Sequence, residues 1–253
     1  MACLTVAAAA TLLALGAAGC GSSTDQDGGQ SNSVGAQGSS GREIGDGFAE
    51  VETVKYDPLV IPDDAPTVLF LGDSITAGLH LPSDQAFPAA VQRQAVAEKI
   101  PFHLVNAGVS GDTTRGALNR LPLLLKNSQP RVVVIELGAN DGLRGQPLEG
   151  IKSNLRDMIH LSREAGAVVL LLQINVPTNL GDYAKDFSQL YIDLSVEEDV
   201  MVVPSFLKGV GGVPEMNLPD GLHPTPEGHE QLAKNITRPL WSLISDARPF
   251  KLK

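Results

Sequence analysis

The chain has 253 residues and a formal net charge of −10, and 43% of its residues are hydrophobic. This length and apolar content suffice for one globular domain with a buried core and additional segments. The sequence contains no cluster of Lys and Arg. This argues against nucleic-acid binding and against electrostatic attachment to an anionic membrane.

The first 20 residues have the composition of an export signal. The uncharged apolar run LTVAAAATLLALGAAGC is too short to span a bilayer comfortably and ends in small residues. Its ending, LGAAGC, resembles a bacterial lipobox, which implies a lipid on Cys20 and a membrane-anchored lipoprotein facing the periplasm or cell surface. A cleaved signal with an incidental cysteine is the alternative. Since Cys3 and Cys20 are the only cysteines, we expect no disulfide and no cysteine nucleophile in the folded part.

Residues 21–62 are predicted to form a flexible tether, because they begin with GSSTDQDGGQSNSVGAQGSSG, which has almost no apolar content. The folded domain is predicted to cover residues 63–248. We find no internal repeat in the sequence.

Apolar runs alternate with helical patterns from Pro66 onward. The runs are continuous, as in strands of a parallel sheet that helices cover on both faces. Predicted strands cover 67–71, 102–106, 131–137, 167–174 and 200–204; predicted helices cover 84–99, 112–126, 148–165, 183–198 and a segment after Thr225. The alternation predicts an α/β domain with three layers, α/β/α, and a five-stranded parallel sheet. Ligands bind at the carboxyl ends of such strands, so the loops that follow them are the candidate site.

Two of these loops contain a serine and a glycine of interest. The first strand ends in GDS, and Ser74 lies at or near the N-cap of the next helix, where backbone N–H groups stabilise developing negative charge. Ser74 is therefore a candidate nucleophile, although a helix cap alone also explains it. The second strand is followed by SGDT, in which Gly111 allows close approach of the backbone to a ligand and Asp112 is a plausible N-cap.

The third strand ends in ELGAND, where Asn140 either forms a turn or offers its side-chain N–H to a substrate oxygen. Asp73, Glu136 and Asp141 lie near these loops and are interpreted as hydrogen-bond acceptors that fix them.

The last loop, LPDGLHPTPEGHE, carries Asp220 and His223 between two prolines. A carboxylate that fixes an imidazole tautomer and stabilises its cation is what a general base requires. Thr225 and Pro226 are predicted as the N-cap and first residue of the final helix.

The other histidines show no such pairing. His80, His103 and His160 have no carboxylate at similar spacing in a sheet-end loop, and His103 falls within the second strand. His223, His229, Glu227 and Glu230 match no metal-binding spacing, so we expect neither a metal nor another cofactor.

The blocks GDS, SGDT, GAND and DGLHP, in this order, resemble those of the SGNH (GDSL) hydrolases. The similarity extends from about Pro66 to Leu243 and is closest to the bacterial branch of acyl-CoA thioesterase I, lysophospholipase and arylesterase. It implies a flavodoxin-like sheet, with Ser74 as nucleophile, His223 as base and Asp220 as its orienting carboxylate. It also implies an oxyanion hole formed by the Ser74 and Gly111 amides and the Asn140 side chain.

The resemblance further implies small-molecule acyl esters or thioesters as substrates, with lysophospholipids possible and no protein partner. An acyl groove is predicted to include Leu79, Leu81, Leu143 and Pro177, for which ordinary packing is the alternative. Two other functions stay open at this point. One is deacetylation of carbohydrates by the same catalytic residues, and the other is a non-catalytic flavodoxin-like binding module.

Overall fold

The computed structural model describes residues 60–246. The predicted leader 1–20, its Cys20 and nearly all of the predicted tether lie outside the described residues. Within residues 60–246, no helix is both long enough and apolar enough to cross a bilayer.

A single sheet of five parallel strands forms the centre of the fold, as the sequence predicted. Its strands are β1 (Thr67–Gly72), β2 (His103–Gly108), β3 (Val132–Glu136), β4 (Val168–Leu172) and β5 (Met201–Val203). The strand order is β2-β1-β3-β4-β5. The chain therefore reverses its direction of winding between the neighbours β1 and β3, and the carboxyl ends of these two strands form the switch point where ligands bind in such sheets.

Helices cover the sheet on both faces, which explains the unbroken apolar character of its central strands. They are α1 (Ser74–Ala77), α2 (Phe87–Ala97), α3 (Thr114–Ser128), α4 (Ala139–Leu143), α5 (Leu148–Glu164), α6 (Asp182–Glu197) and α7 (Pro226–Asp246). One group pairs α2 with α7, and the other pairs α3 with α5 and α5 with α6. The three-layer α/β fold is confirmed.

Ser74 lies next to a helix cap, as predicted, whereas the predicted cap Asp112 is replaced by its neighbour. Asp73, not Ser74, caps α1, because the Asp73 carboxylate accepts a hydrogen bond from the Ile75 amide at 3.0 Å. Thr113, not Asp112, caps α3. Asp112 is instead held by Arg120, whose Nε lies 2.9 Å from its carboxylate. The Thr225 cap of α7 is confirmed, since its hydroxyl accepts from the amide of Gly228.

Aromatic side chains fill the core between β1, α2 and the segment after β5. The Phe87 ring lies 5.7 Å from that of Phe70 and 5.2 Å from that of Phe206, between ring centroids. The imidazole of His229 stacks nearly parallel to Phe87, and its Nδ1 accepts from the Phe87 amide at 3.1 Å. His229 is thus a buried structural residue that links α7 to the start of α2.

We expect His229 to make the protein less stable in mild acid. Burial, and secondarily the charge of His223, lowers the pKa of His229 from 6.5 to about 4. Between these values the unfolded chain binds a proton that the folded chain does not, so stability falls as the pH decreases. Between pH 7 and pH 4.5, this shift in the pKa of His229 lowers the free energy of unfolding by about 2 kcal/mol.

Urea unfolding at several pH values measures this effect. His229→Gln keeps a hydrogen-bond acceptor but cannot titrate, so its free energy of unfolding should decline less between pH 7 and pH 4.5 than that of the wild type. His103→Gln, at a partly exposed histidine in β2, is the control and should retain the wild-type decline. Equal declines for the wild type and the His229 variant would contradict the assignment.

Candidate active site

A continuous chain of hydrogen bonds joins Ser74, His223 and Asp220. The Ser74 Oγ lies 3.0 Å from His223 Nε2, and His223 Nδ1 lies 2.7 Å from Asp220 Oδ2. Ser74 is the first residue of α1, directly after β1, whereas the other two residues belong to the loop before α7. In this arrangement the imidazole can take the proton of the hydroxyl, and the carboxylate stabilises the imidazolium that forms.

The loop that holds Asp220 and His223 is fixed by its own backbone. The amide of Leu218 donates to the carbonyl of His223, and the amide of Gly221 donates to the carbonyl of Leu218. Asp220 Oδ1 accepts from the backbone amides of Leu222 and His223 at 2.9 and 3.0 Å. This leaves Oδ2 for the imidazole. The loop therefore presents the carboxylate and the ring in one defined orientation.

Asp220 is ionised throughout the physiological pH range. The hydrogen bond from the His223 amide, followed by those from the His223 ring and the Leu222 amide, holds the pKa of Asp220 well below its ordinary value. Hydrogen bonds that donate to a carboxylate stabilise its charged form. Asp220 thus provides a fixed negative charge beside the imidazole.

Three hydrogen-bond donors lie at the carboxyl ends of the neighbouring strands β1, β2 and β3. Gly111 follows β2 and has a φ of +79°, in the left-handed region that favours glycine. Within residues 60–246, the amides of Ser74 and Gly111 donate to no other protein group. Asn140, after β3, donates one side-chain N–H to Asp73 Oδ2 at 3.2 Å. Its second N–H stays available to a ligand, because an amide carries two hydrogens.

Asp141 ties together two of these loops. Its carboxylate accepts from the amide and the hydroxyl of Thr114 at 2.9 and 2.8 Å, and thus connects the start of α3 to α4. Asp141 is buried, so these charge-assisted bonds are protected from solvent. Through these two hydrogen bonds, Asp141 holds the start of α3, which follows the Gly111 loop, against the helical turn of Asn140. This agrees with the predicted role of Asp141 as an acceptor that fixes loops.

Asp73 and Glu136 form a buried carboxyl pair behind the nucleophile. Glu136 accepts from the Thr76 hydroxyl at 2.7 Å, and both carboxyls are about 99% buried. Burial is the main cause that raises the pKa of both groups, and the charge of Asp73 raises the pKa of Glu136 further. Two such carboxyls do not both ionise. The pKa of Glu136 is raised the more strongly of the two, and Asp73 is the carboxyl that accepts from Asn140.

Gly72, at the end of β1, has no side chain and so leaves room for Glu136 and for Thr76, which donates to it. A Cβ at Gly72 would lie 1.9 Å from Thr76 Oγ1 and 2.9 Å from Glu136 Oε2. A larger residue would therefore displace the contacts behind Ser74. The glycine of the GDS motif is required by close packing rather than by a left-handed backbone.

Residues 70–231 match the GDSL-like Lipase/Acylhydrolase family. This match spans well over half of the chain. The chain belongs to this family.

Several GDSL-like relatives are similar over most of their length. Esterase TesA of Pseudomonas aeruginosa is 43% identical over 181 residues, which are 71% of this chain and 90% of the relative. Thioesterase 1/protease 1/lysophospholipase L1 of Escherichia coli K12 is 38% identical over 182 residues, or 72% and 86% of the two chains. A crystal structure of TesA superposes with a TM-score of 0.67 at 42% identity and covers 72% of this chain and 99% of its own.

His103, His160 and His229 lie in different structural settings. His229 is buried against Phe87, and Glu230 pairs with Arg93. His103 lies in β2 as predicted. His160 is on the surface and contacts Glu198 at 2.6 Å, far from any loop at the carboxyl edge of the sheet.

The residues predicted for an acyl groove are partly accessible. Leu79 and Leu81 are half-buried, whereas Leu143 and Pro177 are exposed. A separate surface cleft of about 410 Å³ lies beside the amino ends of β4 and β5, where Val168 and Met201 line it. That cleft is at the opposite edge of the sheet from Ser74, so it takes no part in chemistry at the serine.

His80 is the residue near the candidate site that sequence reasoning missed. Its ring lies edge-on to that of His223, with 5.9 Å between the centroids. His80 follows Ser74 by six residues and lies just after α1. His80 has no carboxylate at the spacing that separates Asp220 from His223, and the loop that brings these two residues close to it is distant in sequence.

Proposed function

We propose that this chain is a serine hydrolase that cleaves carboxylic esters or thioesters through an acyl-enzyme on Ser74. The observation that carries this proposal is the hydrogen-bonded series from Ser74 through His223 to Asp220. The names of the relatives, esterase and thioesterase/lysophospholipase, support the same reaction class.

The reaction proceeds in two acyl transfers. His223 Nε2 takes the proton of Ser74 Oγ as the oxygen attacks the substrate carbonyl carbon, and the amides of Ser74 and Gly111 and the Asn140 side chain stabilise the oxyanion. The imidazolium then protonates the leaving alcohol or thiol, and the carbonyl is restored as the acyl-enzyme. Water, deprotonated by His223, attacks the acyl-enzyme, and the carboxylic acid and free Ser74 result.

Exposed apolar side chains in the surrounding loops support an acyl substrate rather than a polar one. Val109, Leu143 and Leu222 are 47%, 52% and 60% exposed, and they lie in the segments that carry Gly111, Asn140 and His223 respectively. We propose that these side chains form one apolar surface, since a contiguous exposed apolar patch marks a site for an apolar ligand. We therefore propose medium-chain acyl esters, thioesters or lysophospholipids as substrates, with Leu79, Leu81 and Pro177 as further members of the groove.

Export and lipid attachment at Cys20 remain predictions from the leader sequence. A protein that works outside the cytoplasm does not meet acyl-CoA, so an exported form acts on lipids or other esters there. The tether at 21–62 would then hold the catalytic domain at 63–248 away from the membrane surface.

A series of p-nitrophenyl esters tests the substrate class. Octanoate should give a kcat/KM at least about tenfold above acetate, since tenfold corresponds to about 1.4 kcal/mol and burial of two methylenes contributes slightly more. Leu143→Ser should reduce this ratio, whereas Leu123→Ser, at an exposed leucine on α3, should leave it unchanged. A preference for acetate, together with faster release of acetate from an acetylated sugar, would overturn the proposed substrate class in favour of carbohydrate deacetylation.

A further inference from the structure

His80 lies beside the proposed catalytic residues but outside their hydrogen-bonded series. It is exposed and has a φ of +71°, a left-handed conformation that is uncommon for residues other than glycine. Its ring faces that of His223 edge-on. The hydrolytic mechanism gives no role to this second imidazole.

His80, Asp220 and His223 together offer the donor atoms of a metal site. Each supplies one ligand atom, and these three atoms all lie within 4.8 Å of one another. Two imidazole nitrogens and one carboxylate oxygen are a common protein donor set for Zn²⁺, with water in the fourth position. Ligand atoms around one tetrahedral ion are roughly 3.3 Å apart, given bond lengths of about 2 Å. The longest of these separations must shorten by up to about 1.5 Å, which is within reach of the exposed His80 side chain.

We propose that Zn²⁺ binds to His80, Asp220 and His223 and reversibly inhibits the enzyme. This inference rests on the proposed function, because two of the three ligands are the proposed base and its orienting carboxylate. The ion recognised is a borderline divalent cation that prefers imidazole, rather than a hard cation such as Mg²⁺ that prefers oxygen ligands.

Zinc coordination and catalysis compete for the nitrogen lone pairs of the His223 imidazole. A metal ion binds only the unprotonated nitrogen of an imidazole. If the ion occupies Nε2 of His223, the base cannot accept the proton of Ser74. If it occupies Nδ1, it replaces the hydrogen bond to Asp220 that orients the ring. Inhibition follows in both cases, and removal of the ion restores the base without any covalent change.

Titration of ZnCl₂ into the ester-hydrolysis assay tests the proposal on the intact chain. Inhibition should be reversed by EDTA and absent with MgCl₂. His80→Asn keeps a residue that tolerates the left-handed backbone, so its basal activity should match the wild type. Its half-inhibitory Zn²⁺ concentration should rise at least about tenfold, as expected when an imidazole ligand is lost. His160→Asn removes a surface imidazole that also contacts a carboxylate and should leave inhibition unchanged.

Calorimetric titration with ZnCl₂ separates this inference from the proposed function. Ser74→Ala retains all three ligands, so it should bind one Zn²⁺ even though it hydrolyses no ester. Ser74→Ala combined with His80→Asn should bind Zn²⁺ at least about tenfold more weakly. Equal Zn²⁺ binding by these two proteins, or equal inhibition of the wild type and His80→Asn, would overturn the metal site, whether or not the chain proves to be an esterase.

Discussion

Ser74→Ala should abolish ester hydrolysis while the protein remains folded. Loss of the nucleophile from a triad of this type lowers kcat by about 10⁴-fold or more. Stability should be unaffected because Asp73, not Ser74, caps α1. A lost cap would cost about 1 kcal/mol, and no such loss is expected here. Turnover of p-nitrophenyl octanoate, labelling with a fluorophosphonate probe and the thermal midpoint measure these effects.

Ser83→Ala is the matched control, because Ser83 is an exposed serine in a 3₁₀ turn a few residues further along the chain. This variant should be labelled and should turn over like the wild type. Fluorophosphonate labelling of Ser74→Ala, or more than about 1% residual turnover by a folded protein, would exclude Ser74 as the nucleophile.

Asp220→Asn should reduce kcat by about 10³- to 10⁴-fold with little change in KM. The amide oxygen of asparagine can still accept from the amides of Leu222 and His223, so the loop should keep its shape. What the variant removes is the negative charge beside His223 Nδ1 and the preference for one tautomer. Steady-state kinetics and the rate of fluorophosphonate labelling should both decrease.

Asp182→Asn controls for the loss of an exposed aspartate, since Asp182 pairs with Lys185 on the surface of α6. Its kinetics should match those of the wild type. If Asp220→Asn retained at least a tenth of the wild-type kcat, the fixed charge would not be required, and Asp220 would serve only to shape the loop.

Local sequence patterns were sufficient to predict the strands and the main helices. The strands at 67–71 and 131–137 are recognisable because a parallel strand covered on both faces carries apolar residues on each side. The start of α7 was predictable because Thr225 and Pro226 satisfy the backbone of a helix start by themselves. The helix start depends on residues close in sequence, and burial on both faces leaves an unbroken apolar run in the strand itself, so one sequence contains both signals.

Helix caps were less predictable, because two neighbouring residues can both act as an acceptor. Asp73 and Ser74 both suit the cap of α1, as do Asp112 and Thr113 for α3. Side-chain contacts decide between them: Arg120, two turns further along α3, engages Asp112, while the distant His223 contacts Ser74. A side chain engaged by another residue is not available to cap its own helix.

Sequence alone determined that polar residues follow several buried strands and therefore meet at one edge of a parallel sheet. It thereby identified Ser74, Gly111, Asn140, Asp220 and His223 as candidates before any geometry was known. Only the tertiary structure determined that Asp73 contacts Asn140, that Glu136 is buried beside Asp73, and that His80 faces His223. Those contacts depend on the strand order and on the approach of distant loops. Neither is encoded by the periodicity or composition of a short segment.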